Sequence, residues 1–143
     1  MTIKILSLLL FIVFVILGSF HFYWLLGGTW GLEKVIPTKD NKISTIPIPK
    51  FATLIVALIL ILFGLVYIVK SGFINISFPK WIITYGYWFI PLLFILRAVG
   101  DFKYVGFFKK INHTEFAKAD SKIFIPLCLL IGIIGVLIQL IDM

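Results

Sequence analysis

The sequence predicts an all-α fold: an integral membrane four-helix bundle, with a basic, aromatic loop at one membrane face. Of its 143 residues, 62% are hydrophobic and 13% are charged, against about 45–50% apolar and about 25% charged residues in soluble domains. A chain this short cannot hide so much apolar surface in a water-soluble core. Lipid is therefore the expected solvent, and one membrane domain covering residues 1–143 is expected.

Four apolar runs are each long enough to cross a hydrocarbon core of about 30 Å as a helix of about 20 residues. None of them carries a charge in its middle. The first run begins like a secretory signal peptide, with Lys4 ahead of an apolar stretch, but no small-residue cleavage site follows and apolar residues continue to Trp24. We therefore expect it to be a retained helix. The predicted spans cover approximately residues 5–27, 51–69, 81–99 and 123–141.

The formal net charge of +7 comes from lysines and arginines that lie mainly between these runs. This placement indicates loops beside anionic lipid, not a nucleic-acid partner. Four spans put loop 1 (residues 28–50) and loop 3 (residues 100–122) on the same side. With the flank of loop 3 included, that side carries ten lysines and arginines, against three on the other side. The positive-inside rule then predicts that loops 1 and 3 are cytoplasmic. The abundance of Ile, Phe and Lys is compatible with an AT-rich bacterial genome, so a bacterial cytoplasmic membrane is expected.

One face of the first span carries its small and polar residues. Gly18, His21 and Trp24 fall within about a third of the helix circumference, and such residues usually face the bundle. His21 is interpreted in two ways: as a neutral histidine bonded to a backbone carbonyl, or as a ligand-binding donor or proton carrier. Trp24 and Trp30 fit an interfacial aromatic belt, and Trp24 also fits the wall of a binding cavity. Two histidines without a cysteine or carboxylate at ligand spacing do not predict a metal site.

The end of the third span carries the most informative polar residues. Arg97 and Asp101 are spaced i, i+4, and Tyr104 follows at i+7, so the three share a face if the helix continues. In one interpretation Arg97 and Asp101 form a structural ion pair that ends the helix. In the other, Arg97 holds an anionic group such as a phosphate, and Asp101 orients it.

Loop 3 combines lysines, Lys109 among them, with aromatic residues. In this mixture the aromatic rings enter the headgroup zone and the lysines reach anionic lipid. Gly100 and Gly106 permit turns of the backbone. A short surface helix is expected near Thr114, before the fourth span. The one cysteine, Cys128, lies inside an apolar run and indicates a small buried hydrophobic residue.

Three segments together resemble a known family. They are His21–Trp24 with the Gly27–Gly31 and Pro37–Thr38 stretches that follow it, the long motif Arg97–Lys110, and Thr114, Phe116, Ala117 and Asp120 with Pro126–Cys128. They resemble the bacterial family labelled domain of unknown function 3995 over nearly the whole chain. The resemblance implies a small multi-span membrane protein and supplies no activity. With four spans, all three segments fall at one membrane face, where a functional site is therefore expected.

The sequence contains no P-loop, H-E-x-x-H, G-x-S-x-G or C-x-x-C motif. A basic, aromatic face without catalytic machinery favours a non-enzymatic module that binds a lipid or other amphipathic ligand, or a membrane partner protein. Membrane lipids, chiefly anionic ones, are the expected partners, and no cofactor or metal is expected. The predicted ligand-binding residues are His21, Trp24, Trp30, Arg97, Asp101, Tyr104 and Lys109.

The alternative from another class is a small intramembrane enzyme acting on a lipid-like substrate. His21 with a carboxylate would serve as acid and base, because histidine titrates near neutral pH. Asp101 is the first candidate carboxylate, with Glu33 and Asp120 as others, and a nearby arginine could stabilise an oxyanion or phosphate. This alternative requires the histidine and a carboxylate to converge on an enclosed cavity.

The predicted orientation can be tested by cysteine accessibility. Cysteines placed at Lys39 and Lys118 should resist a membrane-impermeant thiol reagent in intact cells and react after the cells are opened, because both positions lie in predicted cytoplasmic loops. Labelling of both cysteines in intact cells would overturn this orientation.

Overall fold

A computed structural model describes residues 1–28, 30, 50–100, 106 and 108–143. Within these residues, four helices are long and apolar enough to cross a membrane: α1 (Thr2–Leu25), α2 (Lys50–Ser71), α3 (Ile82–Val99) and α4 (Glu115–Asp142). The predicted all-α fold with four spans is thus confirmed, and the protein is an integral membrane protein. Most of loop 1, and residues 101–105 and 107 of loop 3, lie outside the described residues.

The fourth helix begins earlier than the predicted start at residue 123. Thr114 caps it, because the Thr114 hydroxyl accepts a hydrogen bond from the N–H of Ala117 at 3.1 Å. One α-helical turn, Glu115–Ala119, leads through the π-helical turn Asp120–Phe124 into the span proper. The short surface helix expected near Thr114 is therefore the first turn of α4, and its apolar side is buried.

The core of the bundle is built around the ring of Phe14 in α1, which is fully buried. Its centroid lies 5.7 Å from that of Phe63 and 5.9 Å from that of Tyr67 in α2, and 5.4 Å from that of Phe94 in α3. Such aromatic pairs are each worth about 0.5–1.5 kcal/mol beyond the area that they bury. Residues of all four helices complete this core: Leu10, Leu60, Val66, Tyr87, Ile90, Ile131, Ile134 and Ile138.

Glycines allow the helices to approach closely, and Gly18 faces the bundle as predicted. A Cβ atom on Gly18 would lie 2.7 Å from the side chain of Ile61 in α2. A Cβ atom on Gly135 of α4 would lie 2.6 Å from the Cβ of Pro91 in α3, and one on Gly132 would lie 2.4 Å from an isoleucine of α3. Small residues of this kind replace the missing hydrophobic driving force with close van der Waals contact between helices in lipid.

The two ends of the bundle differ in the groups that they bury. At one end, the ammonium of Lys70 lies 2.7 Å from Asp142, 3.2 Å from the amide oxygen of Gln139 and 4.2 Å above the ring of Tyr87. We call this end the Lys70 face. The opposite end, which we call the Arg97 face, holds the ends of α1 and α3 and the starts of α2 and α4.

Substitution of Gly135 by alanine should destabilise the bundle. The added methyl group would overlap Pro91, and overpacking of this kind typically costs about 1–3 kcal/mol. Gly86→Ala is the matched control, because its methyl group would meet only Ile82, at 3.5 Å. Thermal unfolding in detergent should show a lower midpoint for Gly135→Ala than for Gly86→Ala, and equal midpoints would contradict the close contact between α3 and α4.

Candidate functional site at the Arg97 face

The chain turns sharply at the end of α3. The helix ends at Val99, and Gly100 follows with φ of 86° while its N–H donates to the carbonyl of Leu96 at 2.9 Å. The helix therefore does not continue past Val99, and continuation is the condition on which the sequence places Arg97 and Asp101 on one helix face. Asp101 lies outside the described residues, as do Tyr104 and Glu33.

Gly106 brings the chain back onto the end of α3. Its φ is 91°, and a Cβ atom there would lie 2.2 Å from the carbonyl oxygen of Val99 and 2.6 Å from the Cα of Gly100. Only glycine fits both the positive φ and the close approach. The turns predicted at Gly100 and Gly106 are confirmed, and the second places a peptide group of loop 3 beside the first turns of α4.

The peptide group of Gly106 and two cationic side chains meet at the carboxylate of Asp120. One carboxylate oxygen accepts from Nη1 of Arg97 at 3.0 Å. The other accepts from the N–H of Gly106 at 2.8 Å and lies 3.4 Å from Nζ of Lys109. Lys109 also donates to the carbonyl of Gly106 at 3.2 Å and to the hydroxyl of Ser121. We call these five residues the Asp120 cluster.

The exposure of the three charged side chains decides what the Asp120 cluster can do. Asp120 is 0% exposed and Lys109 3%, whereas Arg97 is 33% exposed. A buried charge needs paired and hydrogen-bonded surroundings, and the cluster supplies them to Asp120 from the end of α3 and from loop 3. Among the described residues, two cations against one carboxylate leave a formal charge of +1, and Arg97 is the charged member of the cluster that reaches the surface.

A π-helical turn, Asp120–Phe124, begins at the central carboxylate. Such segments are rare and occur frequently at functional sites. Here the wider turn joins the capped first turn of α4 to the span proper. It therefore places Asp120 and Ser121 at the junction where Lys109 reaches both side chains.

His21 bonds to its own helix. Its Nδ1 lies 2.7 Å from the carbonyl oxygen of Leu17. Because that oxygen can only accept, Nδ1 donates, and Nε2 is the acceptor of the neutral ring. This is the geometry that the first interpretation of His21 required.

Beyond α1, the chain folds back along the helix through Trp30. The indole N–H of Trp24 donates to the carbonyl of Trp30 at 2.8 Å, and the N–H of Trp30 donates to the hydroxyl of Tyr23 at 3.3 Å. The ring of Phe20 lies 5.8 Å from that of Trp24 and 6.0 Å from that of Trp30. The indole donor of Trp24 is thus already used within this aromatic group.

An open groove of about 480 Å³ lies along α1 beside Trp30. It is on the side of α1 opposite the buried Leu10, Phe14 and Gly18. Among the predicted ligand-binding residues that the structure describes, only Trp30 lines it, since neither His21 nor Trp24 contributes to its walls. The lining residues are Val15, Ile16, Ser19, Phe20, Tyr23 and Trp30.

The structure therefore divides the predicted site residues into groups. Arg97 and Lys109 meet in the Asp120 cluster, whereas His21, Trp24 and Trp30 lie together at the end of α1. Sequence reasoning named Asp120 only as an alternative carboxylate and did not pair it with Arg97. In the part of the chain that the structure describes, no three His, Cys, Asp or Glu side chains come together as metal ligands.

The family model described as "Protein of unknown function (DUF3995)" matches residues 14–135. The match covers most of the chain, so the chain belongs to this family. It includes every residue of the Asp120 cluster and the aromatic end of α1. No curated protein and no solved structure matches the chain.

Removal of the central carboxylate should destabilise the protein strongly. Asp120→Ala would leave Arg97 and the buried Lys109 without their shared partner, and breaking a buried ion pair in this way costs about 3–5 kcal/mol. Lys118→Gln is the control, because the pair of Lys118 with Glu115 is exposed and such pairs contribute about 0–1 kcal/mol. The test is thermal unfolding in detergent. Equal losses for the two variants would show that the Asp120 cluster is not a buried ionic centre.

Proposed function

We propose that this member of the DUF3995 family is a non-enzymatic membrane module that binds an anionic amphipathic molecule, with Arg97 as the contact for the anionic group. The observation that carries the proposal is the state of Arg97 in the Asp120 cluster. Its guanidinium is fixed by a fully buried carboxylate, yet a third of the side chain is exposed. A fixed and exposed arginine at a membrane face is suited to bind an anion.

The chemistry of the guanidinium supports this role. It is planar and carries five N–H donors in a rigid fork that matches carboxylate and phosphate groups. Arg97 can therefore donate to Asp120 through Nη1 and still present donors to a second acidic group on its exposed side. The excess positive charge of the cluster favours such a group.

The anchoring by Asp120 also lowers the cost of binding. Immobilising a flexible side chain on binding costs about 0.5–1.5 kcal/mol. Arg97 already donates to Asp120 at 3.0 Å. Asp120 is in turn fixed by the N–H of Gly106 and by the ammonium of Lys109. Most of the ordering of Arg97 therefore precedes the arrival of the ligand.

The surroundings of the Asp120 cluster favour an amphipathic ligand. Lys110, Lys118 and Lys122 are exposed at the same face, and the ring of Phe108 is 62% exposed. Cations near an anionic membrane surface contribute about 1 kcal/mol each, and aromatic rings favour the headgroup zone. The same face could also receive a membrane protein partner with an acidic segment. With the predicted orientation, this face lies in the cytoplasm of a bacterial cell.

The enzymatic alternative has less support among the described residues. Asp120 is fully buried, and its two oxygens are engaged by Arg97, Gly106 and Lys109, so it does not face a substrate. His21 is hydrogen-bonded to the carbonyl of Leu17, and no described carboxylate is paired with it. The proposal of a binding module therefore takes precedence over that of an enzyme.

Native mass spectrometry after gentle extraction tests the proposal. The wild-type protein should retain an anionic amphipathic molecule. Arg97→Ala should lower retention about 10- to 100-fold, because a hydrogen bond to a charged group is worth about 1.5–3 kcal/mol. Lys80→Ala removes an equal charge from an exposed position at the opposite Lys70 face and should leave retention within about twofold of the wild type.

A folding defect must be separated from a binding defect. Arg97→Lys keeps the charge beside Asp120 and should retain an intermediate amount of ligand, since lysine lacks the planar fork. Recovery of bare protein from the wild type and from Arg97→Ala alike, with both eluting as a single species, would refute the proposed binding function.

A further inference from the structure

An exposed apolar stripe on α3 leads to Arg97. Phe89, Leu93 and Leu96 have exposed fractions of 57%, 39% and 67%, and they lie within about a third of the helix circumference on the side of Arg97. The other side of the same helix, with Tyr87, is buried in the bundle. We call these three residues the α3 stripe.

We propose that the anionic molecule is a phospholipid of the surrounding bilayer, which reaches Arg97 sideways from the membrane. Its phosphate contacts Arg97, and one acyl chain lies along the α3 stripe. This inference rests on the proposed function and names its ligand. The observation that supports a phospholipid is that the fixed cation of Arg97 and the apolar α3 stripe lie on one side of the same helix.

The dimensions of the α3 stripe agree with an acyl chain in one leaflet. At 1.5 Å per residue, the helix rises about 12 Å between Phe89 and Arg97. Half of a hydrocarbon core of about 30 Å is about 15 Å. The stripe therefore runs from the Arg97 face into the membrane for most of one leaflet.

Charge complementarity decides which lipid is bound. When an acyl chain moves from bulk lipid to the α3 stripe, it exchanges one apolar environment for another. Acyl-chain contact therefore does not distinguish one lipid from another. The headgroup makes the selection, because Arg97 and Lys109 outnumber the carboxylate of Asp120. A lipid with a net negative headgroup neutralises the formal charge of +1, whereas a zwitterionic lipid does not.

The route to Arg97 favours lipid over a soluble anion. Leu96 precedes Arg97 and is two-thirds exposed. An anionic group that approaches Arg97 along α3 therefore has to cross the apolar surface of this leucine. A phospholipid already has its phosphate at headgroup depth and its chain beside this surface. A free phosphate would bring the charge and gain nothing from the stripe.

Photocrosslinking in lipid nanodiscs tests the inference. The probes are phosphatidylglycerol and phosphatidylcholine, each with a diazirine at the middle of one acyl chain. Peptide mapping should show about fivefold more adducts on residues 89–96 from the anionic probe, the ratio that one cation near an anionic lipid supplies. Leu130, Ile133 and Leu137 form the control surface, because they are exposed on α4 and should react equally with both probes.

Two variants and one competitor complete the design. Arg97→Gln should bring the ratio at residues 89–96 to about one, whereas Lys80→Gln should leave it unchanged, because Lys80 is exposed at the opposite Lys70 face. Inorganic phosphate at millimolar concentration should not reduce the adducts of the anionic probe. A clear reduction by inorganic phosphate would identify a soluble anion as the ligand and overturn the lipid.

The outcomes separate this inference from the proposed function. Equal adducts of both probes on α3 and α4, together with Arg97-dependent retention of an anionic molecule in native mass spectrometry, would overturn the phospholipid and leave the binding function standing. No effect of Arg97→Gln on adducts and none of Arg97→Ala on retention would overturn both. A fivefold preference confined to α3 that depends on Arg97 supports both.

Discussion

The carboxylate of Asp120 constrains the arrangement of the whole Arg97 face. It is fully buried and accepts hydrogen bonds from the end of α3 and from loop 3, while it belongs to the first turns of α4. An ionised carboxylate without these donors would cost several kcal/mol in such a place. The end of α3, the peptide group of Gly106 and the side chain of Lys109 must therefore stay together for α4 to begin where it does.

Local backbone features adapt the chain to that carboxylate. Gly100 and Gly106 both take positive φ values, and Gly106 lies so close to Val99 that a side chain would not fit. Thr114 caps the first turn of α4, and the π-helical turn begins at Asp120 itself. The positive φ values restrict two positions to glycine, and the cap and the π-helical turn set where α4 begins. Together these features bring hydrogen-bond donors to the buried carboxylate of Asp120.

The sequence predicts the four spanning helices and the inward face of Gly18 well, because both follow from local properties. The hydropathy of a segment indicates whether lipid or water surrounds it, and a small residue such as Gly18 lets two helices approach closely. The start of α4 escapes prediction because Lys118, Asp120 and Lys122 lower the local hydropathy, and hydropathy cannot tell a buried ion pair from a solvated loop. The partner of Arg97 escapes because the i, i+4 rule covers neighbours on one helix, whereas Asp120 is distant in sequence.

The two faces of the bundle differ in charge balance, and this difference favours the Arg97 face for an anion. At the Lys70 face, one ammonium is matched by the carboxylate of Asp142 and further engaged by Gln139 and the ring of Tyr87. In the Asp120 cluster, two cations share one buried carboxylate, and one of them reaches the surface. In the first arrangement, one cation is paired with one carboxylate, so the pair is neutral. Among the described residues, the second has one more cation than carboxylates, and the buried Asp120 holds the exposed Arg97 in place.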